Sequence, residues 1–506
     1  MSAQLEGTST TRFHVSGVTS LLSAGLGPLA AVLIAGLTLG FFAWFGFLVP
    51  AHRGSLSEYG LPVCVLGGGV LALWAWIGYS HYFARRSGVK FDRSLQYDAL
   101  TWLPFLLLWL SFALPLTLTH GSGLALACAG LFAIGKLLIA ARFNQTVRDV
   151  LVDFTLTRFA IIVIAELAAV TIGQRAGTHV EESRNLLLNV WGRWDAVHYI
   201  DIAHNGYHGT DMAFFPLYPY LIRFVGNLAG NYLIAGLLIS TTAFFFGLLF
   251  LYKLVEHEFD RTVARRAIFY VSIFPTAVFF SAVYTEALFF MLTVASFYYM
   301  REHKWLLAGI IGLFAAMTRV EGVLLVVPFI IEWYVAHRND AARAWPKLLP
   351  VALVPLGLFL YMGYLWVLNG DPLYFSHVQS HWNRQLAAPW TSVINTVQKI
   401  AQSPSPLTVA QETLELFFTA LMIGVLAAGW RKLKPSYIAY MALSILVPMC
   451  TSSLMSMPRF ALVLFPMFAI LALWGGRPSV NNGIVAFSLP LLGLFTVLFA
   501  DWYWVA

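Results

Sequence analysis

Long apolar runs alternate with short polar ones along almost the whole chain of 506 residues. Runs of about 17–25 apolar residues are long enough to cross a bilayer as helices. They predict spans over roughly 21–48, 61–83, 99–118, 122–140, 155–173, 231–252, 267–284, 286–300, 305–320, 321–336, 348–368, 408–429, 437–449, 458–474 and 483–500. The expected fold class is all-α: a polytopic membrane protein with a bundle of about fifteen transmembrane helices. Two long polar interruptions, 174–230 and 369–407, break the rhythm and are expected to carry short interfacial helices.

Composition agrees with this pattern. Hydrophobic residues make up 59% of the chain and charged residues 11%, against about 25% charged in ordinary soluble domains. The formal charge of +7 does not imply nucleic acid, because the basic residues are scattered through short loops instead of forming a stripe. The three cysteines, Cys64, Cys128 and Cys450, lie in or beside apolar runs and make neither a disulfide framework nor a zinc ribbon. The first apolar run lacks a small-residue cleavage site, so no cleavable signal peptide is expected.

Lysine and arginine orient the spans. Clusters such as Arg85–Arg86, Arg261–Arg265–Arg266, Arg301–Lys304, Arg338–Arg343–Lys347 and Arg431–Lys432–Lys434 recur at every second crossing. The positive-inside rule makes that face cytoplasmic and places both long loops outside, with the N-terminus inside and the C-terminus outside. Residues 1–150 contain about four spans with few unusual polar groups and read as an accessory membrane module, joined to a second part over 151–506.

The chemistry concentrates at the outer boundary. The segment GRWDAVHYIDIAHNGYHGTDMAFFPLYP, 192–219, is rich in acids, histidines and aromatic rings. Ionisable groups beside a bilayer are costly and point to function. As a helix, 187–203 would bring Leu187, Trp191, Asp195, His198 and Ile202 to one face, with Trp191 and Trp194 at headgroup depth. Asp195 could then accept a proton as general base, with His198 holding it or binding phosphate; the alternative is that Asp195 only anchors the loop. Tyr199 and Asp201 extend this group, although Asp201 lies well round the helix. Pro216 and Pro219 mark re-entry into the membrane.

Further along, Arg319 and Arg459 stand at outer ends of spans, where an arginine near hydrocarbon requires an anion. Glu321 is a local partner for Arg319. Arg459 has no sequence-local acid, which favours a ligand phosphate there, and Glu286 could pair with either arginine. The second loop offers His377, Gln379, His381, Trp382 and Arg384, a mixture suited to a sugar or headgroup. His377 and His381 lack an acidic third ligand nearby, so no metal is expected. There is no Walker A motif, no GxGxxG following a strand and no GxSxG elbow.

In order along the chain, RWDAVHYIDIAHNGY, AFFPLYP, YTEALF, TRVEG, GDPLYFSHVQSHW and SMPRFALVLFP resemble the PIG-V-type mannosyltransferases, related to GPI mannosyltransferase 2, within the multi-spanning GT-C glycosyltransferases. The resemblance covers roughly 155–475 and leaves 1–150 outside it. It implies that 151–506 is a GT-C-like catalytic membrane domain. It also implies an inverting transferase that moves a sugar, usually mannose, from a polyprenyl- or dolichyl-phosphate donor to a hydroxyl of a glycan, glycolipid or protein. Asp195 would be the base and His198 its catalytic neighbour. Arg459, Arg319, Glu286, Trp194, Tyr199, Asp201, His377, Gln379 and Trp382 would contact substrate, with no cofactor and no metal. Membrane lipids are the expected surroundings, the bacterial cytoplasmic membrane before the ER, with the site on the extracytoplasmic face. A lipid-linked-sugar flippase or a polysaccharide polymerase is the alternative; a flippase would place ionisable groups near the bilayer midplane and show internal repeats.

Overall fold

Helices Tyr232–Glu258 (α4), Glu286–Arg301 (α6), Trp305–Thr318 (α7) and Leu353–Asn369 (α9) pack side by side as the central row of the molecule. Around them lie Gln145–Thr171 (α1), Asp195–Asn205 (α2), Leu217–Ala229 (α3), Arg261–Ser272 (α5) and Val326–His337 (α8). The C-terminal part adds Pro389–Gln402 (α10), Pro406–Gly429 (α11), Pro435–Met449 (α12), Met457–Val463 (α13), Phe465–Trp474 (α14) and Pro478–Ala500 (α15). This computed structural model describes residues 144–172, 175, 182–183, 186–382 and 384–505. The four spans expected over 21–48, 61–83, 99–118 and 122–140 lie outside the described residues, as does nearly all of the expected 1–150 module. A compact unit spans Gln145–Ala506.

Among the described residues the fold is all-helical, apart from a single bridge pairing Leu386 with Thr451. Five helical stretches are long and apolar enough to cross a membrane: Tyr232–Glu258, Val320–His337, Ala341–Asn369, Pro406–Gly429 and Pro478–Ala500. A sixth is α13 with α14, bent by 73°, where Pro466 follows the break at Leu464 and cannot donate its amide to a continuous helix. Much of their apolar surface faces outward, as on α9, where Phe359, Trp366 and Val367 are all more than half exposed. In water such faces would be unfavourable; in lipid they are the ordinary lining. The chain is an integral membrane protein.

Two stretches depart from the pattern read in the sequence. The segment expected to span over 267–284 is not one helix: α5 ends at Ser272, Pro275 follows, and the chain continues as turns with a short 3₁₀ stretch, Ala277–Phe280. Those turns are buried under packed rings and carry Tyr284 into the interior. The interfacial helix expected over 187–203 is also broken, and that break builds the site.

Close helix approach in the central row relies on missing side chains. A Cβ on Gly309 would lie 2.3 Å from the Pro350 carbonyl oxygen, and one on Gly357 2.3 Å from that of Leu313. Gly322, between Arg319 and the end of the 3₁₀ stretch Val320–Leu325, presses on α7, so that a Cβ there would sit 2.3 Å from the Ala315 carbonyl carbon. Gly322→Ala should therefore cost about 1–3 kcal/mol through overpacking, read as a fall in the melting temperature of the detergent-purified protein. Gly363→Ala, where a Cβ meets nothing within 4 Å, should leave it unchanged or slightly raised. An unaltered melting temperature for Gly322→Ala would show that this contact yields freely.

Candidate active site

The site begins with a backbone elbow. A short helix, Leu186–Asn189, and a 3₁₀ turn, Val190–Gly192, stop at Arg193, and Trp194 takes φ +58 before α2 starts at Asp195. A non-glycine residue in that region is strained by about 1–2 kcal/mol, so its surroundings must hold it. The Tyr284 hydroxyl does so from both sides, donating to the Arg193 carbonyl at 3.2 Å and accepting from the Asp195 amide at 3.2 Å. The Trp194 ring packs against Trp502 and Trp504, with centroids at 5.7 and 5.4 Å. Asp195 thus becomes the first residue of a helix, where its carboxylate faces the positive end of the dipole.

From there a chain of alternating charge runs inward. Asp195 Oδ2 accepts from Arg459 Nη1 at 2.7 Å, and Arg459 Nε donates to Glu286 Oε1 at 2.7 Å. Arg319 Nη1 donates to the same Glu286 oxygen at 3.0 Å, while its Nε reaches Glu321 Oε2 at 3.4 Å. Rings close over the cations: Tyr284 and Phe279 lie 4.9 and 5.2 Å from the Arg459 guanidinium, and Phe460 lies 5.2 Å from that of Arg319. Three acids and two arginines leave the chain one negative charge in excess. Among the described residues Asp195 Oδ1 has no hydrogen-bond partner, and its side chain is 23% exposed.

The chain of charges forms one wall of a cavity of about 670 Å³. Asp195, Trp194, His198, Tyr199, Arg319, Arg459, Gln379 and Trp382 all line it. The structure therefore brings both long loops and three separate span ends together. His198 donates through Nδ1 to Asp211 Oδ1 at 2.7 Å and stacks on Phe214 with centroids 4.8 Å apart, so it steadies the aromatic turn and not Asp195. Burial works against a charged imidazole, but the hydrogen bond and charge of Asp211, helped by Asp195 and Asp201, outweigh it and hold His198 above the ordinary histidine range.

Three expected substrate contacts lie elsewhere. Glu286 is wholly buried behind the arginines and does not line the cavity. Asp201 turns to Asn205 at 2.6 Å, and His377 turns outward to Asp371 at 2.7 Å. Arg459 also differs from its expectation, because acids from distant parts of the sequence already occupy Nε and Nη1. Local sequence could not disclose a partner 264 residues away.

Sequence reasoning passed over Asp211 and Glu415. Glu415 accepts the amides of Ser456 at 2.9 Å and Met457 at 2.8 Å, fixing the turn at Ser456 (φ +74) from which α13 presents Arg459. An acid inside an apolar run was the available signal. Arg384 lines the cavity too: one amino group bonds the Met455 carbonyl, and its Nε is buried without a hydrogen bond. Carboxylate and imidazole atoms of Asp201, His208 and Asp211 lie within 4.8 Å of one another, a donor set that suits a divalent ion in type.

Removing the shared cation should be severe. Arg459→Met leaves Glu286 buried beside Arg319 alone and should cost about 3–5 kcal/mol; adding Glu286→Gln should return part of it, read by a double-mutant cycle on thermal unfolding. The His198–Asp211 pair should respond to pH. Its stabilisation is complete below the unfolded histidine value of about 6.5 and is lost as pH rises through the higher folded value. The melting-temperature gap between wild type and Asp211→Asn should accordingly narrow with rising pH, and a gap independent of pH would mean a neutral His198.

Solved structures with a related helical layout are similar to this chain at low identity. ArnT from Cupriavidus metallidurans, bound to undecaprenyl phosphate, shares 12% identity with a TM-score of 0.41, over 69% of this chain and 75% of that one. The Archaeoglobus fulgidus oligosaccharyltransferase in complex with zinc and sulfate shares 16% with a TM-score of 0.34, over 67% of this chain and 52% of that one. The same organism's AglB, in complex with an inhibitory peptide and a dolichol-phosphate, shares 17% with a TM-score of 0.31, over 68% and 55% of the two chains. None of the curated proteins matches. Residues 150–335, which carry Asp195, His198, Glu286, Arg319 and Glu321, match the family model described as mannosyltransferase (PIG-V), which supports a membrane glycosyltransferase.

Proposed function

We propose that this protein transfers a sugar, mannose in the simplest case, from a polyprenyl- or dolichyl-monophosphate donor to an acceptor hydroxyl, with Asp195 as general base. The observation that carries this reading is the Asp195 carboxylate at the cavity wall, with Oδ2 pinned by Arg459 and Oδ1 without a partner among the described residues. A carboxylate held by one oxygen has a fixed direction for the other, as a base needs.

In the proposed step the acceptor O–H gives its proton to Asp195 Oδ1. The acceptor oxygen bonds the anomeric carbon from the face opposite the leaving group, and the carbon–oxygen bond to the lipid phosphate breaks with its electron pair going to phosphate. The outcome is inversion. Arg384 and His198 stand over the departing phosphate, since Arg459 is committed to carboxylates. Gln379, Trp382 and Tyr199 surround the sugar, and Leu386, Val447, Pro448 and Met455 offer hydrocarbon for the first isoprene units. Leu386 is 85% exposed, so this apolar side opens outward. The acceptor is a glycan, glycolipid or protein hydroxyl on the extracytoplasmic side of a bacterial cytoplasmic membrane. No metal enters the step as written. The gathering of ionisable groups at one end of the bundle argues for surface chemistry over midplane transport.

The test is transfer from radiolabelled polyprenyl-phosphate mannose to membrane-extract acceptors by protein reconstituted in liposomes. Asp195→Asn should lose roughly 10²–10⁴-fold in rate, the usual contribution of a general base, with its melting temperature retained. Arg384→Gln should lower the rate with little change in acceptor KM. Full activity in Asp195→Asn would remove Asp195 from the base role.

A further inference from the structure

At the end of the bundle remote from Asp195, a second cavity of about 670 Å³ opens beside the start of α7 and the end of α8. The helix α7 is 14 residues long from Trp305, at this cavity, to Thr318, about 20 Å. The cavity's polar lining is entirely basic: His303, Lys304, His337 and Lys347, with no acid among the lining residues. His337 is more than nine-tenths buried and bonds the Trp333 carbonyl through Nδ1, which turns Nε2 toward the Lys347 ammonium at 3.4 Å. Among the described residues no carboxylate reaches Lys347 within ion-pair distance, and Lys304 has only a loose approach to Glu302 at 3.8 Å. The N-cap residue of α7, Lys304, provides no side-chain cap to that helix. Two ammonium groups at one opening, with a single loose counter-charge between them, favour an anion there.

The apolar rim says which kind of anion. Leu306 is 60% exposed and Leu307 44%, and both line the opening; Trp345 and Leu349, each two residues from the lining Lys347, are 57% exposed. Hydrocarbon exposed beside a basic cavity at the end of membrane helices is covered by acyl chains, while the cavity takes the headgroup. We propose that this cavity binds the phosphate of an anionic phospholipid, with its acyl chains laid against Leu306, Leu307 and Leu349. The site is separate from the transfer chemistry and does not depend on it.

Native mass spectrometry of the full-length protein in non-ionic detergent tests the proposal, with phosphatidylglycerol and phosphatidylcholine of identical acyl chains as probes. Wild type should retain phosphatidylglycerol in preference. Lys304→Gln with Lys347→Gln should bind it roughly thirtyfold more weakly, as expected from about 1 kcal/mol per surface lysine, and the paired Lys→Arg changes should restore it. Arg431→Gln, an exposed change outside the cavity, should leave retention as in wild type. Equal retention of the two lipids, undiminished binding by the Gln pair when the Arg pair also binds, or displacement of phosphatidylglycerol by millimolar inorganic phosphate would each overturn it.

Discussion

The Arg459 guanidinium, clamped between Asp195 and Glu286, is the interaction on which the rest of the site depends. A buried carboxylate such as Glu286 is tolerable only because two arginines bond one of its oxygens. Those arginines in turn would be costly so far from water without the acids and the aromatic rings over them. Remove Glu286 and both arginines lose their shared partner; remove Arg459 and Glu286 is left with Arg319 alone. The cluster therefore joins four parts of the chain that share no local sequence: the start of α2, the start of α6, the turn after α7 and the first turn of α13.

Strained or special backbone delivers the charges to that unit. Trp194 and Ser456 both adopt positive φ, one immediately before Asp195 and the other three residues before Arg459. Each is held by a side chain from elsewhere: the Tyr284 hydroxyl at the first, the Glu415 carboxylate at the second. Strain held in place by distant partners is a sign of preorganisation, because a freely relaxing loop would lose the carboxylate's direction. The same logic accounts for the failure of 267–284 to form one helix. Unwinding after Ser272 takes Tyr284 into the interior, where the elbow needs its hydroxyl.

The two ends of the bundle differ in kind. At the Asp195 end, three acids and two arginines neutralise each other almost completely within one chain of ion pairs. At the other, Arg301 with Glu258 and Glu332, and Lys434 with Glu258, tie α4, α6, α8 and α12 together, while Lys304 and Lys347 stay without such partners. Balanced charge binds helices to one another; unbalanced charge is left for something else.

Apolar run lengths alone determined the helical character, the approximate limits of most described spans and the sorting of charged groups to two ends, because hydrocarbon thickness imposes a length on every crossing. The outer-loop motifs likewise marked Asp195, His198, Arg319 and Arg459 as unusual, since each is costly beside lipid unless it has a task. Only the tertiary structure decided who pairs with whom. Arg459 bonds Asp195 and Glu286 instead of awaiting a phosphate, His198 bonds Asp211 and not Asp195, and His377 faces away from the cavity. The reason is physical: burial is fixed by the local apolar pattern, whereas an ion pair is fixed by distance in space, and the partners here lie on helices far apart along the chain.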